Sequence, residues 1–317
     1  MEVEIGVDMG GTRIKIGLVH KGKLITDTSI QASAHISLAE RLVEIGDQVD
    51  RLLEQTRSTP AGIGIAFPGI VDSVHHKILS RYVKYPDAQE VDLPGWAMGR
   101  WNIPLALEND ARAALVGEWQ YGSGRNSQDL VLITLGTGVG SAVMMEGRML
   151  KGKHFLAGNL GGHMTINLHG GLCNCGNIGC LETEGSTWAL EGIVKRAPGY
   201  EASALSGEPE IGFHTVFKMA EQGDALAGEV SRQILKAWSL GVINLIHAYD
   251  PERVVIGGGV MRSKDKILPV IREMIRKHSW LKENEPDVVA AEQPDFAGIL
   301  GMSHLISVSR DKRASLL

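Results

Sequence analysis

One histidine and three cysteines lie close together in this chain, and their types suit a metal ion better than any other use. His163 is followed by Cys173-Asn174-Cys175-Gly176-Asn177-Ile178-Gly179-Cys180. One imidazole and three thiolates complete the tetrahedral set that Zn2+ prefers and leave no position open for a substrate, so the expected role is structural. Gly176 and Gly179 allow the tight loop that the thiolates need. The chain has no cysteine besides these three. An odd, clustered set reads as a metal site in a reducing compartment, not as a disulfide framework.

A second constellation is acidic. Glu108-Asn109-Asp110 stands where a short apolar strand gives way to a helix. Two accounts fit it. Asn109 or Asp110 caps the helix, or Asp110 orients a sugar hydroxyl and accepts its proton as a phosphoryl group arrives. Phosphoryl transfer needs little beyond in-line positioning, charge neutralisation and one such base. The accounts are compatible, because a helix N-terminus favours an ionised carboxylate.

The third constellation is a set of glycine turns. Asp8-Met9-Gly10-Gly11-Thr12 places a carboxylate at a strand end and two glycines in the turn after it. Glycine lets the backbone approach an anion, and its exposed N–H groups can cradle phosphate oxygens. Thr12 adds a hydroxyl donor, and Asp8 suits a hydrated Mg2+. One such hairpin is only a turn. Gly136-Thr137-Gly138 and Gly257-Gly258-Gly259 also follow apolar strands directly, and three turns together point to nucleotide phosphate and adenine contact. Neither a Walker A sequence nor a clean dinucleotide fingerprint occurs.

The elements that must hold these residues are legible from periodicity. Glu4 to Asp8 alternates polar and apolar residues, Arg13 to Val19 resumes as a strand, and Lys21-Gly22-Lys23 turns. Ser37 and Glu40 form a capping box before Leu38, Leu42, Val43, Ile45, Val49, Leu52 and Leu53, which predicts an amphipathic helix over about Leu38 to Arg57. Further strands are expected at Gly62 to Phe67, Leu105 to Glu108, Leu130 to Leu135, Gly140 to Met145 and Val254 to Ile256. Helices are expected at Ala111 to Glu118, Ala225 to Tyr249, Ile267 to His278 and Ala297 to Val308, and Ser203 to Pro209 reads as a loop. The strand, glycine turn, strand, turn sequence at the N-terminus recurs about 125 residues on, which implies two related lobes. Strands alternating with helices predict an α/β fold.

Bulk properties narrow the function further. The 317 residues carry a net charge of -5 and 44% hydrophobic residues, so two lobes are expected and a basic nucleic-acid footprint is not. No apolar run reaches membrane-spanning length, and the N-terminus has no signal-like segment. A cytoplasmic protein is the expectation.

With Asp8-Met9-Gly10-Gly11-Thr12, Glu108-Asn109-Asp110, Leu135-Gly136-Thr137-Gly138 and above all Cys173 to Glu182 in view, the chain resembles the ROK family of bacterial sugar kinases and repressors over nearly its whole length. The resemblance implies an actin-like (ribonuclease H-like) ATPase fold of two α/β lobes with a cleft between them, commonly as a homodimer. Residues 1–117 plus 301–317 are expected to form one lobe, and 118–300 the other. The resemblance also implies that Asp110 is the base, that Asn109, His163 and Glu182 contact sugar hydroxyls, and that Gly257, Gly258 and Gly259 lie against the adenosine. ATP with Mg2+ and a primary C6 hydroxyl are the implied substrates. His163 would ligate zinc through one ring nitrogen and address the sugar with the other.

One departure bears on the substrate. The family reads Glu-x-Gly-His before the cysteines, whereas this chain reads Gly158-Asn159-Leu160-Gly161-Gly162-His163, with Asn159 nearest the missing acid. Asparagine keeps an acceptor but loses the charge, so Asn159 is expected at the sugar and glucose is not assumed. It also motivates an alternative, a catalytically weak sugar-binding sensor of the same fold. Family repressors carry an N-terminal helix-turn-helix domain, and Asp8 stands too near the start to leave room for one. Elsewhere, His75 and His76 read as surface turn residues, and Trp96, Trp101 and Trp119 as packing. Arg81, Tyr82, Lys84 and Tyr85 read as a solvated loop, with a reach to substrate the lesser reading.

Overall fold

The computed structural model describes residues 1–32, 36–280 and 283–314, with side chains as far as Arg310. The chain forms two compact units. Met1–Asn126, Lys151–Ala157 and Asp295–Leu317 make the first, and Ser127–Leu150 with Gly158–Pro294 the second.

The first unit is built on β1 (Glu2–Met9), β2 (Arg13–His20), β3 (Lys23–Gln31), β4 (Thr59–Phe67) and β7 (Leu105–Asn109), in the order β3-β2-β1-β4-β7. The short strands β5 (Val71–Asp72) and β6 (Lys77–Ile78) pair only with each other. β1, β2 and β3 form an antiparallel meander, and β4 and β7 add in parallel. Burial follows pattern: the central β4 is buried from Ala61 to Phe67, while the edge strand β3 alternates exposed and half-buried residues. Helix α1 (Leu38–Thr56) starts at the Ser37–Glu40 capping box and ends at Arg57, which adopts the left-handed conformation. Leu38, Leu42, Ile45, Val49, Leu52 and Leu53 form its buried stripe; Val43, which the spacing had grouped with them, is 56% exposed because it falls beside the stripe. Helices α2 (Leu93–Trp101) and α3 (Asp110–Tyr121) follow.

The second unit repeats the plan. Strands β8 (Leu130–Leu135), β9 (Val139–Met145), β10 (Arg148–Met149), β11 (Arg253–Gly257) and β12 (Asp287–Ala290) run in the order β10-β9-β8-β11-β12, again an antiparallel meander extended by two parallel strands. Its helices are α4 (Leu181–Gly185), α5 (Thr187–Arg196), α6 (Phe213–Glu221), α7 (Ala225–Tyr249) and α8 (Lys264–His278). Trp238 of α7 is fully buried against Phe213 and Phe217 and donates its indole N–H to the Gly185 carbonyl at 2.7 Å. That pairing lets a large amphipathic ring sit in a core.

Helix α9 (Ala297–Ala314) returns the chain to the first unit. It lies on a track of strand glycines: a Cβ at Gly6 would come within 2.6 Å of the Ile299 carbonyl, and one at Gly64 within 2.9 Å of that of Met302. Against α3 the approach is closer, with a Cβ at Gly301 falling 1.8 Å from the Ala113 carbonyl. Expected boundaries shift for a simple reason. Position 117/118 lies inside α3 and 300/301 inside α9, so each helix stays whole within the first unit, which also takes in the residues up to Asn126, those from Asp295, and Lys151–Ala157. The Ser203 to Pro209 loop is also corrected: Ala204–Gly207 is a 3-10 helix, capped by Ser203, whose hydroxyl bonds the Asp224 carboxylate at 2.9 Å.

Candidate active site

In the first unit the parallel strands deliver their carboxyl ends to one edge of the sheet. The register there runs Asp8, Ala66, Glu108 across β1, β4 and β7, and Asp110 follows Glu108 by two residues. Asn109 is the N-cap of α3: its Oδ1 accepts the Arg112 N–H at 3.1 Å, and its Nδ2 donates to the Gly69 carbonyl and to Asp110 Oδ1, each at 2.9 Å. Both amide protons are thereby engaged, so the visible work of Asn109 is to hold Asp110. The Ala111 N–H adds a bond of 2.8 Å to the same Oδ1. One carboxylate oxygen is fixed, and the other has no hydrogen-bond partner among the described residues.

The electrostatics set Asp110 apart. Burial, then the charge of Asp8, push its pKa up to about 7, against the opposing pull of the Ala111 N–H and the Asn109 amide. Burial also holds Asp8 above the usual carboxylate range, and the Lys15 ammonium works against it. A carboxylate raised by a neighbouring like charge favours a cation beside the pair. The first turn of α9 presses on Asp8, since a Cβ at Gly298 would meet Asp8 Oδ2 at 2.8 Å.

Sequence reasoning missed part of this neighbourhood. Buried Glu108 pairs with Lys151 Nζ at 2.7 Å and with Arg112 at 3.6 Å, and the Arg112 guanidinium holds the Phe155 and Ala157 carbonyls at 3.0 and 2.9 Å. Glu108 lies on β7 and Arg112 in the first turn of α3, so no single periodicity marks their pairing, and Lys151 had no local signal. Tyr82 packs edge-on to Phe67 with centroids 5.7 Å apart, and burial and the Asp110 charge raise its pKa to about 12. Lys84 donates to the carbonyls of Gly11 and Ala32. The Arg81 to Tyr85 stretch is therefore partly built into the acid edge. His75 bonds Asp72 at 2.7 Å on the surface, Trp96 stacks edge-on with Trp101, and Trp119 with His304.

In the second unit Gly257 pairs with Thr134, so the Gly136 and Gly257 turns leave adjacent parallel strands side by side. Gly136 and Gly259 have nothing within 4 Å of where a Cβ would stand, while Gly258, at φ 92°, would drive a Cβ to 2.1 Å from the Leu135 carbonyl. Bare backbone facing open space fits the close approach of a phosphate or a base. Glu182 serves this turn: its Oε2 accepts the Val139 N–H at 2.8 Å and its Oε1 the Trp188 indole N–H at 3.3 Å.

The metal-type cluster is assembled. The ligand atoms of His163, Cys173, Cys175 and Cys180 lie within 4.8 Å of one another, with His163 Nδ1 3.6 Å from Cys173 Sγ and Cys175 Sγ 3.7 Å from Cys180 Sγ. Zinc bonds of about 2.0–2.3 Å at tetrahedral angles give ligand separations of roughly 3.5–3.8 Å, so these groups fit the ion. Burial and the neighbouring thiols push Cys180 up to about 12; three adjacent sulfurs do not all ionise unless a cation joins them. Gly176 and Gly179 take φ of 91° and 63°, as their loop demands. Asn159 is buried, in a segment pinned by Ser141, whose hydroxyl donates to the Gly158 carbonyl at 2.8 Å and accepts the Gly161 N–H at 2.7 Å.

Comparison with known proteins places this arrangement. The chain is 33% identical over 318 residues to a glucokinase of Thermotoga maritima, covering 95% of this chain and 96% of that one. It is 28% identical to a xylose repressor of Caldicellulosiruptor bescii, over 88% of this chain and 71% of the repressor. Among solved structures, a ROK family glucokinase from Streptomyces griseus in complex with glucose and AMPPNP superposes with a TM-score of 0.78 at 27% identity, covering 96% and 98% of the two chains. The described helices include none long and apolar enough to cross a membrane. Residues 4–308 match the ROK family, and the chain belongs to it.

Proposed function

We propose that this protein is an ATP-dependent sugar kinase, with Asp110 as general base and a hexose or hexose derivative as acceptor at its primary C6 hydroxyl. The observation that carries the reading is the state of Asp110: one oxygen is held by Ala111 and Asn109, the other is free, and the pKa is about 7. A base poised near neutrality removes a proton effectively at working pH. The kinship to glucokinases supports the same reaction. In the reaction Asp110 takes the hydroxyl proton as the sugar oxygen forms its bond to the terminal phosphorus and the bond to the bridging oxygen of ADP breaks. Asp8 would hold Mg2+, which supplies charge neutralisation on the phosphates. Gly10, Gly11 and Thr12, with Gly136 to Gly138 and Gly257 to Gly259, would bind the nucleotide. His163, Cys173, Cys175 and Cys180 would hold Zn2+, which fixes the His163 ring so that Nε2 is left for the sugar. Asn159 and Glu182 complete the proposed sugar contacts, and a homodimer is the proposed assembly.

An ADP-release assay over a panel of monosaccharides tests this. Turnover of at least one sugar, lost in Asp110→Asn with sugar affinity kept, is the expected result; full activity in that variant rejects the base. The second reading, a sugar sensor, is favoured by Asn159 in place of the acid and by kinship to a repressor. Calorimetric sugar binding without turnover of any sugar would favour it.

A further inference from the structure

Lys84 has unusual partners for a half-buried lysine. Its ammonium donates to two backbone carbonyls, those of Gly11 and Ala32, and no carboxylate among the described residues lies within ion-pair distance. An ammonium has three donors; two are engaged here, and among the described residues the third has no partner and the charge no counter-ion. Solvated lysines ordinarily stay in water and keep their rotamer freedom, whereas this one is drawn onto a glycine turn that the sequence marks as a phosphate cradle.

The segment that carries it is anchored on both sides. Tyr82 and Tyr85 pair as an isolated bridge, the Tyr85 N–H meets the Tyr82 carbonyl at 3.0 Å, and both rings pack on Phe67 at the end of β4. Just beyond, Asp87 accepts the Leu38 and Ala39 N–H groups at 2.7 and 3.1 Å at the start of α1. The turn between them thus has Tyr82 within the field of Asp110 at one end and Lys84 on the Gly11 carbonyl at the other.

We propose that Lys84 is a phosphoryl-binding residue, whose ammonium takes the terminal phosphate arriving at the Gly10-Gly11-Thr12 turn. The proposal rests on the kinase reading and deepens it. A compact ammonium suits a phosphate oxygen as a point charge, while neutral sugar hydroxyls gain little from an unpaired cation. Held on the turn that follows Asp8, it supplies the positive charge that a terminal phosphate needs there.

Wild type, Lys84→Gln, Lys84→Met and Lys84→Arg are melted alone, with Mg2+ and ADP, and with Mg2+ and AMPPNP, and their kinetics are measured with the best sugar of the panel. ADP and AMPPNP differ at the terminal phosphoryl group. Lys84→Gln keeps donors for the two carbonyls and loses only the charge, so it separates a backbone staple from an anion site and serves if Lys84→Met does not fold. The expected result is that Lys84→Gln and Lys84→Met retain the ADP-induced rise but lose the additional rise with AMPPNP. Their kcat falls by about 10²–10³, the scale for removing one donor from developing charge, with the sugar KM within about twofold, and Lys84→Arg recovers most of both. Three results overturn the proposal: wild type that gains nothing from AMPPNP beyond ADP, Lys84→Gln with wild-type kcat, or a raised sugar KM at unchanged kcat. A wild type that responds to AMPPNP but phosphorylates no sugar breaks the kinase reading instead, and the melts alone then decide Lys84.

Discussion

The two units share one strand order and one pattern of parallel and antiparallel pairing, yet the equivalent edges of their sheets carry opposite chemistry. In the first, β1 brings Asp8 to the edge and β7 leads into Asp110, two half-buried carboxylates held above the usual range, Asp110 partly by the charge of Asp8. In the second, β8 ends at Thr134 and Leu135, β11 at Gly257, and the turns beyond are bare glycine backbone. A sheet edge of this topology presents strand ends and turn amides whatever its sequence. The side chains then decide between an acid that moves protons and a backbone surface that accepts a ligand. The units also differ in what holds them: the first packs α9 onto glycine-lined strands, while the second has a metal-type cluster in a segment with little regular structure.

That contrast can be broken most strongly at Asp110. Asp110→Asn is expected to lower kcat by about 10²–10⁴, whereas Glu182→Gln, which loosens the turn at Gly138, should act mainly on KM. Equal kcat losses in both would mean that the acid edge is not special. Chelation comes next. Removing zinc should release about one ion per chain and lower the melting temperature by roughly 5–10 °C, since a domain of this size moves about 2–4 °C per kcal/mol. Hydrogen exchange should then rise across residues 161–182 and leave the α3 and α9 amides protected. Uniform loss of protection would contradict a local role.

The pH dependence sharpens the acid side. A carboxyl raised to about 7 in the fold from an ordinary value near 3.8 makes the native state bind more protons than the unfolded one. Its contribution to stability is full below the unfolded value and is lost as pH rises through about 7. Melting of the ligand-free protein should therefore decline between pH 4 and 7, and Asp110→Asn should flatten the decline. For activity the sign reverses: kcat/KM should rise with pH through about 7 as Asp110 ionises, and Asp8→Asn should move that limb to lower pH. Packing effects are smaller. Gly64→Ala must displace the Met302 backbone and should cost about 1–3 kcal/mol, read as a lower denaturation midpoint. The smallest change expected is in Asn159→Glu, a severalfold shift in sugar KM with the nucleotide KM unchanged.

Much of this molecule was legible along the chain. The Ser37–Glu40 box, the α7 stripe from Ala225 to Tyr249, strand β8 and the repeated hairpin are local patterns, and local patterns survive into the fold. The Cys173 to Cys180 spacing determined its own cluster for the same reason, because few residues separate the ligands. Tertiary structure alone decided the rest. Lys84 reaches Gly11 across 73 positions, Lys151 reaches Glu108 across 43, and Gly64 meets Met302 across 238. No periodicity records such contacts, since they arise only when strand order and helix docking bring remote segments together. The raised pKa of Asp110 belongs to the same class: an aspartate after an asparagine reads as a cap, and only burial beside Asp8 turns it into a base working near neutrality.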